Sequence, residues 1–203
     1  IGTDFTMYPM SQATANPYRL EGVVRNSGVQ TQNEVIMHVD VVDENGTTTA
    51  LASSPVSLTN GETDTVATTS TFLPPSMGLY NMSFWATSDS FPTTDTLTRS
   101  TIVTDTVYGM DYDWNFDGAN ASGYAYLSRP DCGQVLANVF DIYANATLTS
   151  ISFHVSSQSV AGGEVSVQLY ETSGEIFLEE SDTYTLQQSD IGNWVTIPLL
   201  SPY

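Results

Sequence analysis

Short blocks in which apolar and polar residues alternate recur along the chain, each closed by turn-forming residues. In Glu34-Val-Ile-Met-His-Val-Asp-Val-Val-Asp43, Val35, Met37, Val39 and Val41 share one face, while Glu34, His38 and Asp40 lie on the other. A period of two is that of a strand with one buried side. The same alternation over 78–88 places Tyr80, Met82, Phe84 and Ala86 inward. Further strands are predicted over 18–26, 63–72 and 97–105, with a first one near 4–10, giving about seven up to residue 106. Glu44-Asn45-Gly46 predicts a hairpin turn, with Asn-Gly supplying both positive-φ positions of a type I′ turn. Around 104–108 the pattern restarts, and strands follow over 134–142, 147–155, 164–171, 175–186 and 193–200. There Ile151, Phe153 and Val155, then Val165, Val167 and Leu169, take the inward positions, and Ala161-Gly162-Gly163 and Ser173-Gly174 are the turns. Ser and Thr account for 50 of the 203 residues, which favours strands over helices. The expected fold class is all-β: two antiparallel β-sandwiches in tandem, residues 1–106 and 107–203.

Four features of the first half carry a family likeness: Gly22-Val-Val-Arg-Asn-Ser-Gly28 in the second strand, the Asn45-Gly46 hairpin, Asn60-Gly61-Glu62-Thr63, and Pro74-Pro75-Ser-Met-Gly78-Leu-Tyr80. On these, the half resembles bacterial Ig-like domains of the CARDB type. The last resembles the approach to a tyrosine corner, where a buried Tyr ties the sandwich through its hydroxyl. The second half carries Ser150-Ile-Ser-Phe153, Gly162-Gly-Glu-Val-Ser-Val-Gln-Leu-Tyr-Glu171 and Asn193-Trp-Val-Thr-Ile-Pro-Leu199. It is similar to the jelly-roll or galactose-binding-like sandwiches of large secreted Bacteroidota proteins. A jelly roll has eight strands and about six are read here, so the domain is expected to continue past Tyr203 within a longer polypeptide.

Charge narrows the function classes. There are 23 acidic residues against 4 basic ones, a net charge of -19; the bases are Arg19, Arg25, Arg99 and Arg129, and lysine is absent. Acids are of ordinary abundance, so the anomaly is the missing bases. That excludes a phosphate-tracking nucleic-acid binder and a polybasic lipid contact. It also excludes Schiff-base lysines and a P-loop lysine. No apolar run approaches the roughly 18–20 residues of a membrane span, so no direct insertion is expected. The single Cys132 forms no internal disulfide and carries no thiol-enzyme signature. His38 and His154 lie mid-strand on polar faces, and Glu179 and Glu180, adjacent on a strand, point to opposite sides and cannot flank one bond. No catalytic residue is expected, and the chain reads as a non-enzyme.

The most specific chemical pattern is Asp111-Tyr-Asp113-Trp-Asn115-Phe-Asp117-Gly118, whose alternate oxygen ligands before a glycine suit a hard cation such as Ca²⁺. Tyr124 stands where the bidentate Glu of a helical EF-hand would be, which leaves two readings. Either Asp111, Asp113, Asn115 and Asp117 form a shortened structural calcium loop, or this is an Asp/Asn-rich turn whose Tyr112, Trp114 and Phe116 pack on the sandwich. Asp64-Thr65-Val66, Asp95-Thr96-Leu97 and Asp105-Thr106-Val107 resemble the O-glycosylation acceptor motif of Bacteroidota, implying sugars on Thr65, Thr96 and Thr106. Trp194, alternating with Val195 and Ile197, is the expected outward aromatic for a ligand-binding face.

The expectation is a non-catalytic segment of a large extracellular or cell-surface bacterial protein, similar to type IX secretion substrates, serving as adhesion, spacer or filament module. Its expected partners are neighbouring domains, other surface proteins, glycans or secretion machinery. The alternative is an accessory carbohydrate- or substrate-binding domain of a secreted hydrolase whose catalytic domain lies elsewhere.

Overall fold

The computed structural model describes residues 5–92, 94–110 and 135–203. The protein is almost entirely β. It divides into two compact units, Ile1–Trp114 and Asn115–Tyr203.

In the first unit the long strands follow the alternation. β1 (Met7–Pro9), α1 (Met10–Ala15), β2 (Glu21–Arg25), β3 (Gln32–Asp43), β4 (Thr48–Ala52), β5 (Val56–Leu58), β6 (Thr63–Ala67), β7 (Gly78–Thr87) and β8 (Leu97–Thr104) succeed one another. The large sheet has the order β1-β8-β7-β3-β4, with β5 pairing the start of β3. A second sheet holds β2 and β6. Val39 meets Phe84 and Val41 meets Met82 across the antiparallel β3–β7 pair. These inward residues join Val66, Leu20, Tyr18 and Phe72, from β6 and the stretches flanking the small sheet, in one core. Two sheets sharing one core make this unit a β-sandwich.

Three local expectations are corrected. The first strand is only Met7–Pro9, parallel to β8, because the chain then turns into the short helix α1, which buries Gln12 and Ala13. The strand expected over 63–72 ends at Ala67, and only isolated bridges, Ser53 to Thr68 and Tyr18 to Phe72, continue it. At the Asn45-Gly46 hairpin, Gly46 alone has a positive φ, of 81°. Asp43 N–H donates to the Thr47 carbonyl at 3.0 Å, and Asp43 Oδ1 accepts from the N–H groups of Asn45 and Thr47. The loop therefore has three residues closed by a left-handed glycine, and the Asp43 carboxylate selects it over the two-residue type I′ form.

The tyrosine-corner expectation is met locally. Tyr80, 1% exposed, donates its hydroxyl to the Ser76 carbonyl at 2.7 Å. Beyond β8 the chain stays with the first unit, where Gly109 N–H donates to Met7 O and Gly109 O accepts from Thr6 and Met7.

The second unit is built from β9 (Ser150–His154), β10 (Glu164–Val165), β11 (Gln168–Glu171), β12 (Ile176–Glu180), β13 (Tyr184–Thr185) and β14 (Trp194–Pro198). β9 pairs antiparallel with β14, and residues 164–186 form a long hairpin in which β10 pairs β13 and β11 pairs β12. Its core gathers Val155, Val167, Leu186, Val195, Ile197 and Leu199. The strand predicted over 134–142 does not form in 135–142. Alternation there is insufficient: among the described residues no strand pairs with it, and Val135, Leu136, Val139 and Ile142 are exposed. No described helix is long and apolar enough to cross a membrane.

Candidate functional site

Of the sequence-predicted positions, Thr65, Thr96 and Thr106 belong to the first unit and Trp194 to the second. Thr65 is exposed on β6, its N–H donating to the preceding Asp64 Oδ1 at 2.8 Å. Thr96 is exposed just before β8 and Thr106 in the bend just after it, at opposite ends of that strand. Beside Thr106, Thr104 Oγ1 donates to the Val107 carbonyl and accepts the Val107 N–H. Trp194 opens β14 in the second unit and is 38% exposed. Asp111, Asp113, Asn115 and Asp117 lie outside the described residues, as do Arg129 and Cys132. Among the described residues no three His, Cys, Asp or Glu side chains gather as a metal-binding group.

Both histidines stand directly across a strand pair from a tryptophan. His38 faces Trp85 with ring centroids 5.4 Å apart and planes 15° from parallel, and its Nε2 is 2.9 Å from Thr87 Oγ1. His154 faces Trp194 edge-on at 5.7 Å, with Nε2 3.2 Å from the Gly192 carbonyl. Cross-strand aromatic pairs of this kind stabilise a sheet by about 0.2–1 kcal/mol. These imidazoles are thus structural partners of Trp85 and Trp194. On the second unit the outward Tyr170 and Phe177 form a similar edge-to-face pair at 5.7 Å. Tyr170, Phe177 and Trp194 are three of the exposed aromatic rings among the described residues of this unit, with Phe140, Tyr143 and Tyr203.

One concavity was not legible in the sequence. A groove of about 510 Å³ runs beside β6 in the first unit. It is lined by residues 64–71 of β6 and its continuation, together with Ser53, Ser54, Val56 and Arg19. Its form follows from strand divergence. β5 pairs with β3 of the large sheet, whereas β6 pairs with β2 of the small one. At one end the two strands are tied by Thr59 and Glu62. Glu62 N–H donates to Thr59 O, and Glu62 Oε2 accepts both the Thr59 N–H and hydroxyl at 2.7 Å. Those donors, the backbone N–H foremost, hold the Glu62 carboxyl below its ordinary pKa. At the other end Ser53 bridges to Thr68, and Thr69 N–H donates to Ala52 O. The trough is dressed mostly in small hydroxyl side chains and continues past the Ser53–Thr68 bridge to Thr71. The sole sequence trace of it is the run of small polar residues at 63–71, which reads as strand-edge threonine.

No protein-family model matches the chain, and no curated protein matches it.

Proposed function

We propose that this protein is a non-catalytic β-sandwich module of an extracellular or cell-surface bacterial protein, working as an adhesion, spacer or filament-building element. The observation that carries the reading is the use made of the imidazoles, the side chains best suited to acid–base chemistry near neutral pH. Both are spent on cross-strand contacts with Trp85 and Trp194. The charge balance adds support, since a lysine-free chain of net charge -19 has little to offer an anionic polymer or membrane. In this reading Thr65, Thr96 and Thr106, all exposed, carry O-linked sugars, and calcium at Asp111, Asp113, Asn115 and Asp117 is structural. The test is protease shaving of intact source cells followed by mass spectrometry. Peptides of this chain released from the surface, with glycan mass on those threonines, are the expected result. Recovery from the cytoplasmic fraction alone overturns it.

The exposed Tyr170, Phe177 and Trp194 favour one second reading, an accessory carbohydrate-binding domain of a secreted hydrolase. A hydrolase domain encoded in the same open reading frame, together with polysaccharide retention lost in Trp194→Ala, would favour it over the adhesion module.

A further inference from the structure

We infer that the open edge of β2 joins this protein to a second copy of itself, the two β2 strands pairing antiparallel about a two-fold axis at Val23. The β2–β6 ladder decides which backbone groups are available. Thr68 N–H donates to Leu20 O and Asn26 N–H to Glu62 O, so the directly bonded partners of this antiparallel pair are 20 with 68, 22 with 66, 24 with 64 and 26 with 62. Glu21, Val23 and Arg25 are the alternate positions, whose N–H and C=O groups point away from β6. Among the described residues nothing bonds to them on that side. The reason is the path of β1, which runs parallel to β8 in the large sheet and so does not cover β2. A cleft of about 80 Å³ adjoins the edge, lined by Gly22, Val23 and Val24 of β2 and by Trp85 and Leu97 of the large sheet. Three consecutive outward positions present the row of donors and acceptors that an added strand requires.

The sequence of the strand selects the occupant. Glu21-Gly-Val-Val-Arg25 carries an acid two residues before Val23 and a base two residues after it. When two copies pair antiparallel with Val23 opposite Val23, each Glu21 stands opposite an Arg25 of the other copy. Each of the three outward residues then donates its N–H to the C=O opposite and accepts one in return. A slip of two residues either way sets Val23 against Glu21 or against Arg25 and loses both ion pairs, so charge fixes the register. The side chains are available for this. Glu21 and Arg25 are exposed and Val23 is 59% exposed. Among the described residues Arg25 has no ion partner, and Glu21 has only Arg19, at 3.8 Å. Charge elsewhere sets two copies of net charge -19 to repel, but two of the four bases, Arg19 and Arg25, flank Val23 and relieve that repulsion at this edge. Leu97, more than half exposed on the same cleft, adds apolar surface for the second copy to cover. An isologous contact of this kind closes on itself, so it makes a dimer and builds no filament unaided. The contact does not rest on cell-surface placement, and its loss would leave the non-catalytic reading standing.

The test is sedimentation velocity on the whole chain at about 0.15 M salt, which shortens the reach of the net charge to roughly 8 Å. Expected is a dimer fraction that rises with concentration up to about 1 mM. Amide exchange at residues 21, 23 and 25 should slow as the dimer fills. Glu21→Arg and Arg25→Glu each set like charges opposite one another and should weaken dimerisation about tenfold or more. Mixing those two variants, or combining both changes in one chain, restores opposite charges at every pairing and should return the dimer to within about threefold of wild type. Such recovery also shows that neither variant is misfolded. Monomer alone at the highest concentration, single variants that dimerise as wild type does, no recovery on mixing, or protection centred on another edge would each overturn the proposal.

Discussion

In the first unit Val39, Val41, Tyr80, Met82 and Val103 are each no more than 1% exposed, whereas among the described residues of the second the most enclosed apolar one is Ile197 at 3%, with Ile151, Phe153 and Val165 only half-buried around it. Both units use strand pairs, glycine turns and alternating faces. They differ in what lies over the inward face. Across β3, β7 and β8 a second sheet with its flanking aromatics closes the core, including Tyr8 set edge-on to Tyr18 and Phe72 set edge-on to Tyr80. Among the described residues of the second unit, the core is shared by the hairpin and the β9–β14 pair, and most of the apolar residues packed against it are only partly buried. Alternation therefore specifies which residues face inward, and the number of covering strands specifies how much that orientation contributes to stability.

The largest expected effect tests this contrast directly. Met82→Ala removes a fully enclosed side chain and should cost about 2–5 kcal/mol, the range for cavity-forming core truncations. Ile197→Ala should cost roughly half as much, because its half-exposed neighbours can close over the gap. Hydrogen exchange measured across a denaturant series reads the two units separately. An Ile197→Ala cost equal to that of Met82→Ala would mean that the thin core of the second unit is as rigid as the thick one.

One device is shared so closely that it sharpens the comparison. In the first unit Ser53 N–H donates to Met37 O at 2.8 Å, Ser53 Oγ accepts the Met37 N–H at 2.9 Å, and that hydroxyl donates onward to Ser54 O. In the second unit Ser181 N–H donates to Val167 O at 3.0 Å, Ser181 Oγ accepts the Val167 N–H at 3.0 Å, and its hydroxyl donates to Asp182 O. Each serine is buried where its strand leaves the ladder, and its hydroxyl replaces the carbonyl that has turned away. Ser53→Ala and Ser181→Ala should each cost about 1–3 kcal/mol by orphaning a buried N–H. The effect should be larger for Ser53, since Met37 is the more deeply enclosed partner. Loss of protection at the Met37 or Val167 amide is the signature, and unchanged protection would show that the hydroxyl is dispensable.

These serines also show why only part of the molecule was legible in its sequence. Period-two alternation identified the inward faces of β3 and β7 residue by residue, because each strand is flanked on both sides and its pattern is uninterrupted. It read 164–171 and 175–186 as unbroken strands, whereas the Ser181–Val167 exchange splits each in two. A serine that substitutes for a backbone carbonyl looks like any other serine in a chain where one residue in four is Ser or Thr. The groove beside β6 was hidden for a related reason. It arises from β5 and β6 choosing different partner strands, which no local pattern encodes.

A smaller effect is expected at the tyrosine corner. Tyr80→Phe keeps the buried ring and its contact with Phe72 but deletes the hydroxyl bonded to Ser76 O. The expected cost is about 0.5–1.5 kcal/mol, confined to the first unit. A loss spreading to exchange in the second unit would show that the two units open together.

The smallest effects come from carboxylates held by loop backbone. Asp89 is kept below the ordinary Asp range chiefly by the Asn33 N–H, and Asp190 chiefly by the Gln187 N–H, with the Tyr184 hydroxyl donating to it at 2.8 Å. That same bond raises the Tyr184 phenol, which must give up its proton to a site already facing a carboxylate. For each acid the folded pKa lies below the unfolded one, so the unfolded chain binds more protons between the two values. The contribution is complete above the unfolded Asp value, about 3.9, and disappears as pH falls through the lower folded value. Acid should therefore loosen Asn33–Asp89 in the first unit and the 187–190 turn in the second, each locally. The second unit should respond more widely, because Asp190 also anchors Tyr184, a member of its thin core. Carboxyl titration by NMR in wild type and Asp190→Asn checks this. Asp190→Asn should remove the acid dependence of exchange around Tyr184 and leave that around Asn33 intact. An Asp190 carboxyl titrating at or above 3.9 would show that the turn does not hold it, and that core thickness alone separates the two units.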